Sequence, residues 1–392
     1  MDPLIVSYTA IITMAVLPIV IGSYRSIPSS KKKKETEIMS SRDAWLAPLV
    51  GSAVLVLLYV LVKYVSKEMI NIFITGYVTF FGSVCIVQLI TPELRSLIQR
   101  LLNIKPEEPA DSPQEPISSN FSTAESASNA ENSRAASSED QSKATPPASS
   151  PHCDTISVLC PISLKLKIRK KVFFSLSFDI LDILSVILVS AFAAYYVIYK
   201  NWIASNVYGE AICFGAISLI HLDSFITGSV LLSGLFLYDI FWVFGTDVMV
   251  TVAQSFDAPL LLRFPRNIFA SSSQWTMLGL GDIVVPGIFI SLCLRYDHEK
   301  AGKPESHDFA KPYFNTCLVA YVLGLITTIV VMHTFKAAQP ALLYLSPACV
   351  LSVIFVAIFK GDLKNIISYT SGPNEEKKAK LVEEQPPAPN NS

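Results

Sequence analysis

Two acidic residues stand where acids are costly. Asp239 lies in "LYDIFWVFGTD" (237–247) and Asp282 in "MLGLGDIVVPGIF" (277–289), and both stretches are otherwise almost wholly apolar. At membrane depth an ionised side chain costs about 3 kcal/mol or more, so such residues are usually kept for function. Two carboxylates that share a proton act as one base and one acid. That pair can activate a water against an amide carbonyl. The structural alternatives are neutralisation by a Lys or Arg of a neighbouring apolar block, or protonated acids bonded to backbone carbonyls. The blocks around 226–246, 276–294 and 340–359 contain no basic residue, which weakens the first alternative.

The neighbours of the acids point the same way. Gly279 and Gly281 flank Leu280 just before Asp282, loosening the helix and clearing side chains so that another backbone can approach. Further on, "KAAQPALLYLSP" opens the last apolar block. Pro340 lacks an N–H and Pro347 is expected to bend or break the helix, so Gln339, Pro340, Ala341 and Leu342 can offer unpaired backbone groups. Irregular backbone at that depth is tolerated only where protein or a water-filled cavity covers it.

The elements that position these residues are set by composition. Of 392 residues 51% are hydrophobic and only 16% charged, and the apolar residues fall in long blocks. A span needs about 20 apolar residues. Windows at 4–23, 45–62, 69–91, 182–199, 208–222, 226–246, 276–294, 313–334 and 340–359 predict an all-α polytopic membrane protein with nine transmembrane helices. Asp239 and Asp282 then lie about seven and six residues from the same face, each roughly 10 Å deep at ~1.5 Å per residue. Asp179, Asp182, Glu210 and Asp247 are read as interfacial, at span ends.

Basic residues set the expected orientation. With Met1 outside the cytosol, 25 of the 31 Lys and Arg fall in cytosolic segments and 6 outside. The first block is not preceded by basic residues and reads as a retained span rather than a cleaved leader. Residues 1–105 form a first membrane region and 152–360 a second, with 361–392 as a cytosolic tail. Between the two regions, 106–151 is rich in Ser, Ala, Glu and Pro with one aromatic, Phe121, and is expected to be disordered in the cytosol, leaving the sequon at Asn120 unused. The basic run "KLKIRKK" (165–171) reads as a topogenic flank near lipid headgroups.

Other chemistries find little footing. A net charge of −1 with scattered basic residues argues against a nucleic-acid partner. Seven dispersed cysteines without C-x-x-C, and five dispersed histidines without H-E-x-x-H, support neither a zinc site nor a disulfide framework. A proton-coupled transporter or channel also uses paired intramembrane acids and broken helices, but no repeat of the spans is seen.

Tyr238-Asp239, Gly279-Leu280-Gly281-Asp282 and Gln339-Pro340-Ala341-Leu342 resemble, in order and spacing, the YD, GxGD and PAL motifs of the intramembrane aspartyl proteases. The resemblance is strong over about 200–360. A loop of about 29 residues (247–275) and the expected orientation set the chain apart from presenilins, and the short stretch before the first span sets it apart from the signal-peptide-peptidase-like enzymes with a large N-terminal luminal domain, so the endoplasmic reticulum branch is favoured. The resemblance implies a presenilin-like nine-span fold, Asp239 and Asp282 as the catalytic pair, Tyr238 and Gly279 to Gly281 beside them, and Gln339 to Leu342 positioning substrate. It implies no cofactor or metal. Substrates would be membrane-spanning peptides, such as signal-peptide remnants and type II segments, met in the endoplasmic reticulum bilayer, and a homo-oligomer is left open. Two features depart from the family: the 106–151 insert, and a C-terminus without a dilysine signal.

Overall fold

The computed structural model describes residues 3–27, 37–101, 162–168, 171–178, 180–246, 248, 260–266, 275–302, 309–335 and 339–371. Among them, nine long helices follow in chain order: α1 (Pro3–Arg25), α2 (Ser41–Tyr64), α3 (Lys67–Leu101), α4 (Ile180–Tyr199), α5 (Trp202–Leu219), α6 (Phe225–Phe244), α7 (Gly281–Ala301), α8 (Pro312–Phe335) and α9 (Leu342–Lys360). The short α10 (Leu363–Ile367) follows. Six strands pair in twos: β1 (Glu37–Met39) with β4 (Ile220–Leu222) in parallel, and, antiparallel, β2 (Ile162–Ile168) with β3 (Lys171–Phe178) and β5 (Leu261–Pro265) with β6 (Trp275–Gly279).

Seven of the helices (α1, α2, α3, α4, α6, α8 and α9) are long and apolar enough to cross a bilayer. The protein is a multi-pass, helical membrane protein. The other two, α5 and α7, match the remaining expected spans in place, but α5 carries Asn206 and Glu210, and α7 ends in Arg295, Asp297, Glu299 and Lys300. A helix buried on all sides belongs in the interior. Every residue of α7 from Pro286 to Asp297 is buried, with α1, α5, α8 and α9 packed around it.

Contacts divide the chain into two units, 1–91 with 185–392, and 92–184. The second contains the β2–β3 hairpin, so the basic run read as a plain flank contributes to strands on both sides of 169–170. Alternation of apolar and polar residues in "ISLKLKI" is the physical reason, since a period of two favours a strand. The insert at 106–151 with its sequon, Cys153, Cys160, Asp179 and Asp247 lie outside the described residues.

In the larger unit the end of α7 is tied to the chain after α10. Arg295 is 4% exposed, and its Nη1 donates to Ser371 Oγ at 3.1 Å. Tyr369 packs edge-on against Tyr296 (5.0 Å) and tilted on Phe225 (5.8 Å). Thr370 bridges Ser224, the N-cap of α6. Lys300 and Asp362 form an ion pair between α7 and the start of α10.

Three expectations need correction. Residues 275–279 are strand, and the seventh helix begins at Gly281, because Gly279 and Gly281 on either side of Leu280 end one element and start another. The fifth helix starts six residues earlier than expected, at Trp202, where Asn201 Oδ1 accepts from the Ile203 N–H and caps it. Glu210 is therefore mid-helix and half-buried, and His221 lies on β4. Pro347 does not break the last helix, which continues to Lys360 packed along α8.

Candidate active site

Asp239 is held by α6. Ser224 Oγ accepts from the Thr227 N–H at 3.2 Å to start that helix, and Trp242 Nε1 donates to Ser52 Oγ at 3.1 Å, fixing its far end to α2. Asp239 is 5% exposed and sits five residues before Phe244, where α6 ends. Its Oδ2 has no hydrogen-bond partner among the described residues, while the backbone N–H of Leu342 is directed at the carboxylate.

Asp282 is carried on a different kind of support. The β5–β6 hairpin pairs Leu261 with Gly279, and the Leu280 N–H donates to Leu260 O at 3.2 Å, extending the ladder one step. Leu280 then caps α7, and its carbonyl accepts from the N–H groups of Ile283 (3.1 Å) and Val284 (2.9 Å). Asp282 thus stands in the first helical turn. A β-carbon on Gly279 would lie 3.1 Å from Asp282 Oδ2, so a side chain there would press on the carboxylate. The Tyr321 hydroxyl of α8 reaches the Asp282 carbonyl at 3.4 Å.

The third contribution is the start of α9. Gln339 and Pro340 precede it, Ala341 is its N-cap, and the Leu343 and Tyr344 N–H groups already bond back to the Pro340 and Ala341 carbonyls. Leu342 is the first helical residue and its N–H is one of the donors a helix cannot use internally. That donor faces Asp239. Irregular backbone was expected over Gln339 to Leu342; it covers Gln339 to Ala341, and Leu342 is helical.

Asp239 and Asp282 are near enough for their charges to interact. Two helix N-termini converge on them, that of α7 at Asp282 and that of α9 at Asp239. Each supplies partial positive charge, worth about 0.3–1 kcal/mol and up to ~2 kcal/mol when partly buried. Such a pair can hold an anion and a proton together in an apolar surrounding.

Tyr238, expected beside the pair, lays its ring against α2, 3.6 Å from where a β-carbon on Gly51 would stand, and is near enough to Asp239 for their charges to interact. Sequence reasoning did not find Tyr321, nor Cys213, whose thiol meets the Leu280 carbonyl at 4.0 Å. Both act on backbone carbonyls of remote elements, which leaves no motif. Among the described residues, no group of three or more His, Cys, Asp or Glu is placed to hold a metal ion.

The signal peptide peptidase family profile matches residues 31–373. Signal peptide peptidase of Mus musculus is 35% identical over 93% of this chain and 82% of its own length, and that of Homo sapiens 35% identical over 93% and 83%. Intramembrane protease 2 of Caenorhabditis elegans is 42% identical over 53% of this chain and 47% of its own length. The transporter alternative finds no support among these relatives. A multi-pass helical membrane protein whose sequence matches over most of its length leads to one assignment: this chain belongs to the signal peptide peptidase family.

Proposed function

We propose that the protein is an intramembrane endopeptidase of the aspartic type, with Asp239 and Asp282 as its catalytic pair. The observation that carries this reading is the convergence of two acids and two helix N-termini inside the bundle. One carboxylate takes a proton from water as the water oxygen bonds to the substrate carbonyl carbon, and the other carboxyl gives its proton to the carbonyl oxygen. Proton return to the amide nitrogen then breaks the C–N bond, leaving a carboxylic acid and an amine. No cofactor takes part.

Substrates are membrane-spanning peptides, among them signal-peptide remnants and type II segments. A helix hides its carbonyls in internal bonds, so it must be unwound, and in lipid its freed groups need partners at once. The strand edge at Gly279 and the backbone of Gln339 to Leu342 can provide them. Names of the relatives and the 25 to 6 charge distribution support placement in the endoplasmic reticulum membrane, N-terminus luminal and C-terminus cytosolic. The test is cleavage of a model membrane peptide by the purified, detergent-solubilised protein. Wild type should give two products, and Asp239→Asn and Asp282→Asn none. Transport of protons without cleavage would overturn the reading.

A further inference from the structure

One stripe of α5 is given over to the β5–β6 hairpin. Trp202, Asn206, Gly209 and Cys213 recur at the spacing of a single helix face. The Trp202 ring meets Phe264 of β5 at 5.7 Å and Trp275 of β6 at 6.2 Å. A β-carbon on Gly209 would be 3.0 Å from Leu262 and 3.2 Å from Leu280, so that glycine lets the hairpin come close. Cys213 meets the Leu280 carbonyl. Asn206, 5% exposed, bonds to one residue twice: its Nδ2 donates to Arg263 O at 2.8 Å and its Oδ1 accepts from the Arg263 N–H at 2.9 Å. That is the pair of bonds a neighbouring strand would make.

The bonds decide which edge of the sheet is open. In an antiparallel ladder, residues alternate between pairs that bond across and pairs whose N–H and C=O point outward. Arg263 bonds outward to Asn206, so its pair with Met277 is of the outward kind, and so are Leu261 with Gly279 and Pro265 with Trp275. On β5 the outward groups of Arg263 are taken, and Pro265 has no N–H to offer. On β6 the outward groups of Met277 and Gly279 have no partner among the described residues, and Met277 is 55% exposed.

We propose that α5 is the register clamp of this hairpin and Asn206 its positioning residue. The Asn206 carboxamide closes the outer edge of β5, so that an extended peptide pairs on β6 in a register set by α5. This rests on the peptidase reading, and it adds what fixes the cut. A strand paired beside Gly279 ends next to Asp282, so a slip of the hairpin moves a different substrate carbonyl to the acids.

The experiment uses the full chain in detergent and one membrane-spanning model peptide, with products located by mass spectrometry. Wild type should cut a defined set of bonds. Asn206→Leu, of similar size but without either hydrogen bond, should spread cleavage to neighbouring bonds and lower kcat/KM about tenfold. Asn206→Gln, which keeps both groups, should restore the wild-type cuts. Unchanged cut sites and kcat/KM in Asn206→Leu would overturn the clamp. Should that variant fail to fold, Asn206→Asp, which keeps the acceptor and loses the donor, gives the same decision. Should wild type cut nothing, the peptidase reading fails. Hydrogen exchange at the Arg263 amide then decides the clamp, faster exchange in the variant supporting it and equal exchange overturning it.

Discussion

A carboxylate in lipid is tolerated when nearby positive charge offsets it, and a helix N-terminus can supply part of that charge. Asp282 stands in the first turn of α7 and Asp239 faces the Leu342 N–H of α9. Asp239→Asn and Asp282→Asn keep the shape of each site but cannot make the proton transfers of the proposed mechanism. Each should lose all measurable peptide cleavage while expressing and inserting normally, read by product formation against immunoblot level. Gly279→Ala places a β-carbon 3.1 Å from Asp282 Oδ2. A shift of a few tenths of an ångström in that carboxylate should cut kcat by roughly tenfold with the fold retained, since small misplacements in a reacting pair are costly. The acids were legible in the sequence because a charge in an apolar block has few innocent explanations. Asn206 and Tyr321 were not. Their partners are main-chain atoms 57 and 39 residues away, and a polar side chain gives no sign of which backbone it will meet.

Elements show where hydropathy reasoning reaches its limit. Residues 275–279, "WTMLG", continue an apolar run into α7, and a short apolar run cannot be told from helix by periodicity. The breakpoint was visible only as two glycines. Glu210 was misplaced for a related reason: the fifth window was opened at 208, whereas the N-cap at Asn201 starts the helix at Trp202. The chain after α10 was read as a plain tail, yet Tyr369 to Ser371 hold the start of α6 and the end of α7, the two helices that bear the acids. Tyr369→Ala removes two aromatic contacts worth ~1 kcal/mol each. It should lower the thermal midpoint in detergent and reduce cleavage in step with the loss of folded protein, leaving KM of the remainder unchanged. A raised KM without destabilisation would mean that Tyr369 touches substrate.

At the scale of the whole molecule, the order of the nine long helices among the described residues was readable from the apolar blocks, whereas the sheet edges that give the site a direction were not. The site is asymmetric: β6 runs toward Asp282 from one side, and the start of α9 meets Asp239 from another. An extended peptide paired along β6 has one productive chain direction, because reversal changes the hydrogen-bond register and presents the other carbonyl face to the water. Direction along the strand becomes direction across the bilayer once the protein itself is oriented. With the N-terminus luminal, we expect preference for segments whose own N-terminus is cytosolic, as a signal-peptide remnant lies. The check is a pair of substrates with one apolar core, inserted in opposite orientations by moving the flanking Lys residues, and presented to the protein in liposomes. The substrate with its N-terminus on the cytosolic side should be cut at least ~10-fold faster, a difference of about 1.4 kcal/mol in the barrier. Equal rates would show that the strand edge does not set polarity, and the reverse preference would mean that the protein lies the other way across the membrane.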